Sequence, residues 1–265
     1  MERFIMASGV ATRYADFGKG EKVVVLLHGY LEAIEVFDSF AGELGKTYRV
    51  ICIDLPGHGL SDWGGKEAIT VDFSASVVAS VLEKVGIMQA SVVGHSMGGY
   101  VAVALAENYP QLVSHLVLLH SSPAGDSQEK KECRQREIEL IQAGKKELLA
   151  TVNPAKGFAK INHKRCAELI ENLHEQVMMT DDKAIVATLC GLMERKDRSE
   201  FFATTNIPCL MVFGTDDNYI PREAAQTMIE RFPKAKYEWV EMAGHSSFAE
   251  QPSRAAEIIR NFIPL

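Results

Sequence analysis

The chain alternates short apolar runs with amphipathic stretches. Six runs, at residues 23–27, 49–53, 90–93, 116–119, 209–213 and 237–240, are mostly apolar and rich in branched side chains. A strand with one solvated face alternates apolar and polar positions, whereas one covered on both faces does not. These runs therefore predict parallel strands inside a sheet. Between them, apolar positions recur at helical spacing over 34–44, 71–84, 97–108, 224–231 and 252–263. Strand, helix and strand in turn predict an α/β fold with a doubly wound, mostly parallel sheet. The opening "FIMASGVATRYADFG" alternates about a central Ser-Gly and predicts an antiparallel hairpin.

One stretch breaks this rhythm. Residues 124–204 hold no strand signal, only charged amphipathic segments such as "SQEKKECRQREIELIQAGKKELLATV". They predict an inserted helical cap over a core formed by 1–123 and 205–265, with the charges on a solvated outer face.

Composition narrows the function classes. The 265 residues are 47% hydrophobic and 24% charged, as in a globular protein, and the net charge of −7 comes without a basic block. Nucleic acid is therefore not expected as a partner. Five scattered cysteines form no CxxC pair, which predicts free, mostly buried thiols in a reducing compartment. The first residues lack a signal-peptide pattern and no apolar run approaches membrane-spanning length. A cytoplasmic protein without a membrane partner is the expectation.

Ligands of an open α/β sheet gather at the carboxyl ends of its strands. Those ends supply His28 and Tyr30, Asp54, Ser96, His120, the pair Asp216 and Asp217, and His245. A hydroxyl needs a base to become a good nucleophile, and the base needs an acid that fixes its tautomer. Ser96 and His245 supply the first two. Either Asp216 or Asp217 can supply the third. No HExxH, CxxC, GxGxxG after a strand, or GxxxxGK[ST] is present, so neither metal nor cofactor is expected.

The segments "HGY", "DLPGHGLSD", "GHSMGGY", "GTDDNYIP" and "AGHSSFAEQP" stand in the order and approximate spacing of the α/β-hydrolase superfamily. The chain resembles that superfamily over essentially its whole length. The resemblance implies that Ser96 sits on a nucleophile elbow whose neighbours Gly94, Gly98 and Gly99 permit close packing. Family spacing G-x-x-D-x-x-x-P, laid on Gly214 and Pro221, selects Asp217 as the acid, and His245 matches the base. The oxyanion hole would use the backbone N–H groups of Tyr30 and Met97.

Serine at 96 disfavours the epoxide hydrolases and haloalkane dehalogenases of the superfamily, which use aspartate there. Carbon–carbon bond hydrolases keep the serine but typically place an aromatic residue after the base, where this chain has Ser246. The first expectation is hydrolysis of a small or medium carboxylic ester, a small-molecule substrate, through an acyl-enzyme. Thioesterase or acyltransferase, carbon–carbon hydrolase and cofactor-free perhydrolase chemistry would use the same triad. A non-catalytic binding member would normally have lost one of its residues. His28 and His58 are expected to hold loops, and His95 to point away from the pocket. His120 either is structural or touches substrate. Glu32 is expected to put a charge near the pocket mouth, disfavouring anionic acyl groups. Met178, Met179 and Met193 read as core filler or pocket wall.

Overall fold

The computed structural model describes residues 2–264. Its sheet begins with a hairpin of β1 (Glu2–Ala7) and β2 (Val10–Phe17). The turn between them, Ser8-Gly9, has φ of 44° and 86°. Two successive positive φ values match the twist of the flanking strands. β2 then pairs antiparallel with β4 (Arg49–Ile53). All later pairings are parallel, through β3 (Val23–Leu27), β5 (Ala90–His95), β6 (Val113–Leu119), β7 (Cys209–Gly214) and β8 (Lys236–Val240). The strand order is β1-β2-β4-β3-β5-β6-β7-β8. The expected mostly parallel sheet is present.

Helices cover both faces. α2 (Val71–Lys84), α3 (Met97–Asn108) and α9 (Arg222–Arg231) pack one apolar layer. α1 (Asp38–Leu44), α10 (Ser247–Glu250) and α11 (Pro252–Phe262) pack the other. α2 starts where expected because the Thr70 hydroxyl accepts the Phe73 N–H at 3.1 Å, a side-chain cap. Two expected boundaries shift. β5 extends through Gly94 and His95, which pair with Leu118 and Leu119 of β6 although neither is apolar. The expected helix over 34–44 splits into a tight 3-10 turn, Ile34–Phe37, and α1. The Ile34 N–H is taken by Asp54 at 2.9 Å, so a buried carboxylate sets the start of that segment.

Between β6 and β7 no strand occurs among the described residues. The chain instead forms α4 (Gln128–Gln142), α5 (Lys146–Gly157), α6 (Ala167–Met179), α7 (Asp182–Met193) and α8 (Ser199–Thr204). α4 packs on α7 and α5 on α6. Ile138, Ile141, Val177 and Leu189 of these helices bury themselves around Leu31 of the loop after β3. Phe158 and Leu173 join the apolar layer of the sheet. Met178 and Met179 face outward, so Leu173 and Val177 rather than those methionines take the inner positions of α6. Among the described residues no helix is long and apolar enough to cross a membrane.

Candidate active site

Four strand ends on one edge hold non-glycine residues at positive φ: Leu31, Ser96, His120 and Met242, at 63°, 47°, 49° and 54°. Each costs about 1–3 kcal/mol, and such strain persists only where surroundings fix it. At Ser96 the fixing bonds are visible. Its N–H donates to Leu119 O at 2.9 Å, and its carbonyl accepts the Ser121 hydroxyl at 2.6 Å. The glycines around it are required by contact. A Cβ on Gly94 would lie 2.3 Å from Gly98 O, one on Gly98 2.1 Å from Leu27 O, and one on Gly99 2.2 Å from the Ser121 hydroxyl. Gly98 thus admits the end of β3 as well as β5.

Asp217 and His245 meet opposite this elbow. His245 Nδ1 lies 2.9 Å and 3.1 Å from the two Asp217 oxygens. Oδ1 also accepts the N–H groups of Tyr219 and Ile220 at 2.7 Å and 2.9 Å. Oδ2 also takes His120 Nδ1 at 3.0 Å. Burial works against ionisation, but the facing imidazoles and their hydrogen bonds outweigh it and hold the Asp217 carboxyl far below the usual carboxylate range. Asp216 points to solvent and accepts the Thr215 hydroxyl. The choice between the two acids therefore has a geometric answer: Asp217 is the partner of His245.

With Nδ1 donating to Asp217, Nε2 of His245 is the nitrogen able to take a proton. It has no hydrogen-bond partner among the described residues, and neither has the Ser96 hydroxyl. Both residues line one cavity of about 740 Å³. Resting enzymes commonly leave such contacts long until substrate binds.

His120 braces the acid and also lines the cavity. It is 1% exposed, donates from Nδ1 to Asp217, and accepts the Ser247 hydroxyl at Nε2 over 2.6 Å. Burial lowers its pKa to about 4, so it stays neutral. His120, Asp217 and His245 bring ligating atoms within 4.8 Å of one another, a spacing that invites a metal reading. The donor set does not fit one. Nδ1 of each ring carries the proton it donates to Asp217 over 2.9–3.1 Å, and His120 Nε2 takes the Ser247 hydroxyl, so neither Nδ1 offers a lone pair to an ion between them.

The loop after β3 carries the other candidate group. Among the described residues neither the Tyr30 nor the Met97 N–H donates to a protein acceptor, and both residues line the cavity. His28 holds the loop, accepting the Leu55 N–H at Nε2 (2.9 Å) and donating from Nδ1 to Gly29 O (2.7 Å). One expectation shifts and one fails here. Glu32 is buried beneath the loop rather than standing at the mouth, accepting the Gly29 N–H at 2.6 Å, yet it still lines the cavity. His95 does not turn away. It lies under the cavity floor between Glu32 and the His245 carbonyl, because β5 runs two residues further than its apolar run.

The helical insertion also reaches these loops. Gly157 O accepts the Ser246 N–H at 2.9 Å, Asn162 donates to Met242 O at 2.8 Å, and Asn218 donates to Lys156 O at 3.2 Å. Buried Glu250 joins them, accepting the N–H groups of Gly244 and Ala159 at 2.6 Å and 3.2 Å. Sequence reading named Glu32 and His95 without placing either in this contact, and it missed Asn162 and Glu250. The one signal on offer was that Glu250 lies in "AGHSSFAEQP".

A family model described as "Serine aminopeptidase, S33" matches residues 18–252. The chain belongs to this α/β-hydrolase family. This hydrolase is 28% identical to the 2-hydroxy-6-oxononadienedioate/2-hydroxy-6-oxononatrienedioate hydrolase of Paraburkholderia phymatum, over 94% of the chain and 90% of the relative. It is 26% identical to the pimeloyl-(acyl-carrier protein) methyl ester esterase of Aeromonas hydrophila, over 93% and 97%. A solved thermophilic esterase from Thermogutta terrifontis, with malate bound, superposes with a TM-score of 0.91 at 26% identity, covering 98% and 97% of the two chains.

The hydrolase buries three histidines as neutral rings, which makes its stability pH-dependent. Burial lowers His28, takes His120 to about 4 and His58 to about 3, against an unfolded value of 6.5. Between those limits the unfolded chain binds more protons, so stability is complete above about pH 6.5 and falls as the pH drops. By pH 5 His58 alone costs about 2 kcal/mol. Urea unfolding at pH 7 and pH 5 should show His58→Gln losing less stability than the parent by about that amount. An equal loss in both would mean that His58 titrates normally.

Proposed function

We propose that this hydrolase cleaves a small or medium carboxylic ester, with Ser96 as nucleophile, His245 as general base and Asp217 as its orienting acid. Ser96 Oγ attacks the ester carbonyl while His245 Nε2 takes its proton, and the imidazolium is stabilised by Asp217. The negative charge on the tetrahedral oxygen meets the N–H groups of Tyr30 and Met97, and Met97 adds the positive end of α3. His245 passes the proton to the departing alcohol, and water activated by the same ring releases the acid. The observation that carries this reading is the Asp217–His245 bond, which commits Nδ1 and leaves Nε2 for a serine at positive φ on the same cavity. No cofactor enters the scheme.

Residues 124–204 act as the cap. The support is that α4, α5 and α6 wall the cavity while Asn162 and Gly157 bond the loop of His245. Five free cysteines, three of them buried, suit a reducing cytoplasmic setting.

Carbon–carbon bond hydrolysis stands as the second reading because the Paraburkholderia relative is named as hydrolase of a 2-hydroxy-6-oxo-dienedioate, a compound with no ester bond to cleave. A panel of p-nitrophenyl esters of graded acyl length, acyl thioesters and a 2-hydroxy-6-oxo-dienoate separates the options, with Ser96→Ala as blank. Short and medium esters should be turned over fastest. Turnover of the dienoate or thioester without any ester turnover would replace the esterase reading.

A further inference from the structure

His95 stands between two acceptors. Its Nδ1 lies 2.8 Å from Glu32 Oε2 and its Nε2 lies 3.0 Å from the His245 carbonyl. A carbonyl oxygen only accepts, so Nε2 carries a proton. Glu32 Oε2 already accepts the Gly29 N–H at 2.6 Å, and a bare nitrogen lone pair facing it would be repulsive. The pair must therefore hold one more proton than a carboxylate beside a neutral imidazole. Both side chains are buried, His95 at 1% and Glu32 at 9% exposure, and a Cβ on Gly29 would meet each at 2.8 Å. The charged or titratable groups facing them are His28 on the β3 side and the rings of His245 and His120, at 5.0 Å and 6.2 Å from His95. Phe248 closes the remaining side at 4.7 Å.

We propose that Glu32 and His95 are positioning residues that form one proton-sharing clamp across three catalytic loops. The clamp grips Gly29 one residue before the Tyr30 N–H, sits one residue before Ser96, and holds the backbone of His245 itself. Donor, nucleophile and base are thereby fixed relative to one another by a single buried unit. A displacement of about 1 Å in such a set can cost about 100-fold in rate. The extra proton makes both hydrogen bonds charge-assisted, so the clamp is stiffer than neutral contacts would be. This inference rests on the serine-hydrolase reading for its kinetic consequence, but not for its proton count.

The count is read directly by NMR of protein with 15N-labelled histidine at pH 7. In the native protein one ring, assigned to His95 by its absence in His95→Gln, should carry protons on both nitrogens. In Glu32→Gln that ring should carry one. For a p-nitrophenyl ester, Glu32→Gln and His95→Gln should each lower kcat by about 10- to 100-fold, with KM within about threefold. The double variant should be no worse than the weaker single one, since the two act as a unit. An unprotonated nitrogen on native His95, additive losses, or an unchanged kcat in Glu32→Gln would overturn the clamp. Native protein that shows the doubly protonated ring but takes no covalent label at Ser96 would sink the hydrolase mechanism and leave the proton count standing.

Discussion

Treated with an active-site phosphonofluoridate, the native protein should gain one covalent adduct, at Ser96, and Ser96→Ala should gain none. The expectation follows from what the fold spends on that residue. Ser96 is held at φ 47° by bonds through its own N–H and carbonyl, while its hydroxyl makes no hydrogen bond among the described residues. Backbone strain of about 1–3 kcal/mol with no structural use for the side chain points to chemistry. For the same reason Ser96→Ala should fold as the parent does, because no hydrogen bond is lost and alanine meets the same backbone contacts. Turnover should fall by about 10⁶-fold, the loss found when a serine protease loses its nucleophile. Intact-mass spectrometry and peptide mapping read the adduct. Label on another residue, or turnover that survives in Ser96→Ala, would remove Ser96 from the mechanism.

The parts of this molecule that were legible in its sequence are those decided locally. β3, β4, α2 and α3 fall where apolar periodicity, the Thr70 cap and the glycine-rich turn put them. Ser96, His245 and the pair Asp216 and Asp217 were legible as strand-end residues, and only the spacing of the family motif singled out Asp217. The contact between Glu32 and His95 was not legible. By composition a glutamate after a glycine turn belongs in solvent, and only the convergence of the loops after β3, β5 and β8 makes its burial favourable. The same holds for Asn162 and Glu250, which are 88 residues apart and acquire a role only once α5 and α6 lie against the loop of His245. Likewise β5 outran its apolar run because its last two residues are held by pairing to β6 rather than by their own hydrophobicity.

Asp217→Asn should abolish nearly all turnover while Asp216→Asn leaves it largely intact. Asp217 receives His245 Nδ1 at 2.9 Å, His120 Nδ1 at 3.0 Å and two backbone N–H groups, with its side chain fully buried. An asparagine there can keep Oδ1 for the Tyr219 and Ile220 N–H groups, so the loop should hold its shape. Its NH2 would then face both imidazoles as a donor. His245 would answer by presenting a bare Nδ1 and moving its proton to Nε2, the atom that must accept from Ser96. That wrong tautomer costs ~10⁴-fold in kcat in a well-studied serine protease. Asp216 is exposed, and among the described residues its carboxylate accepts only the neighbouring Thr215 hydroxyl, itself a contact to the Met242 N–H. Losing its charge should change kcat by less than about tenfold, under ~1.4 kcal/mol of transition-state stabilisation. Steady-state kinetics on one ester, with thermal unfolding of each variant to establish equal folding, decide the matter. Equal losses would mean that the field of both carboxylates matters more than the tautomer, and the reverse order would move the acid to Asp216.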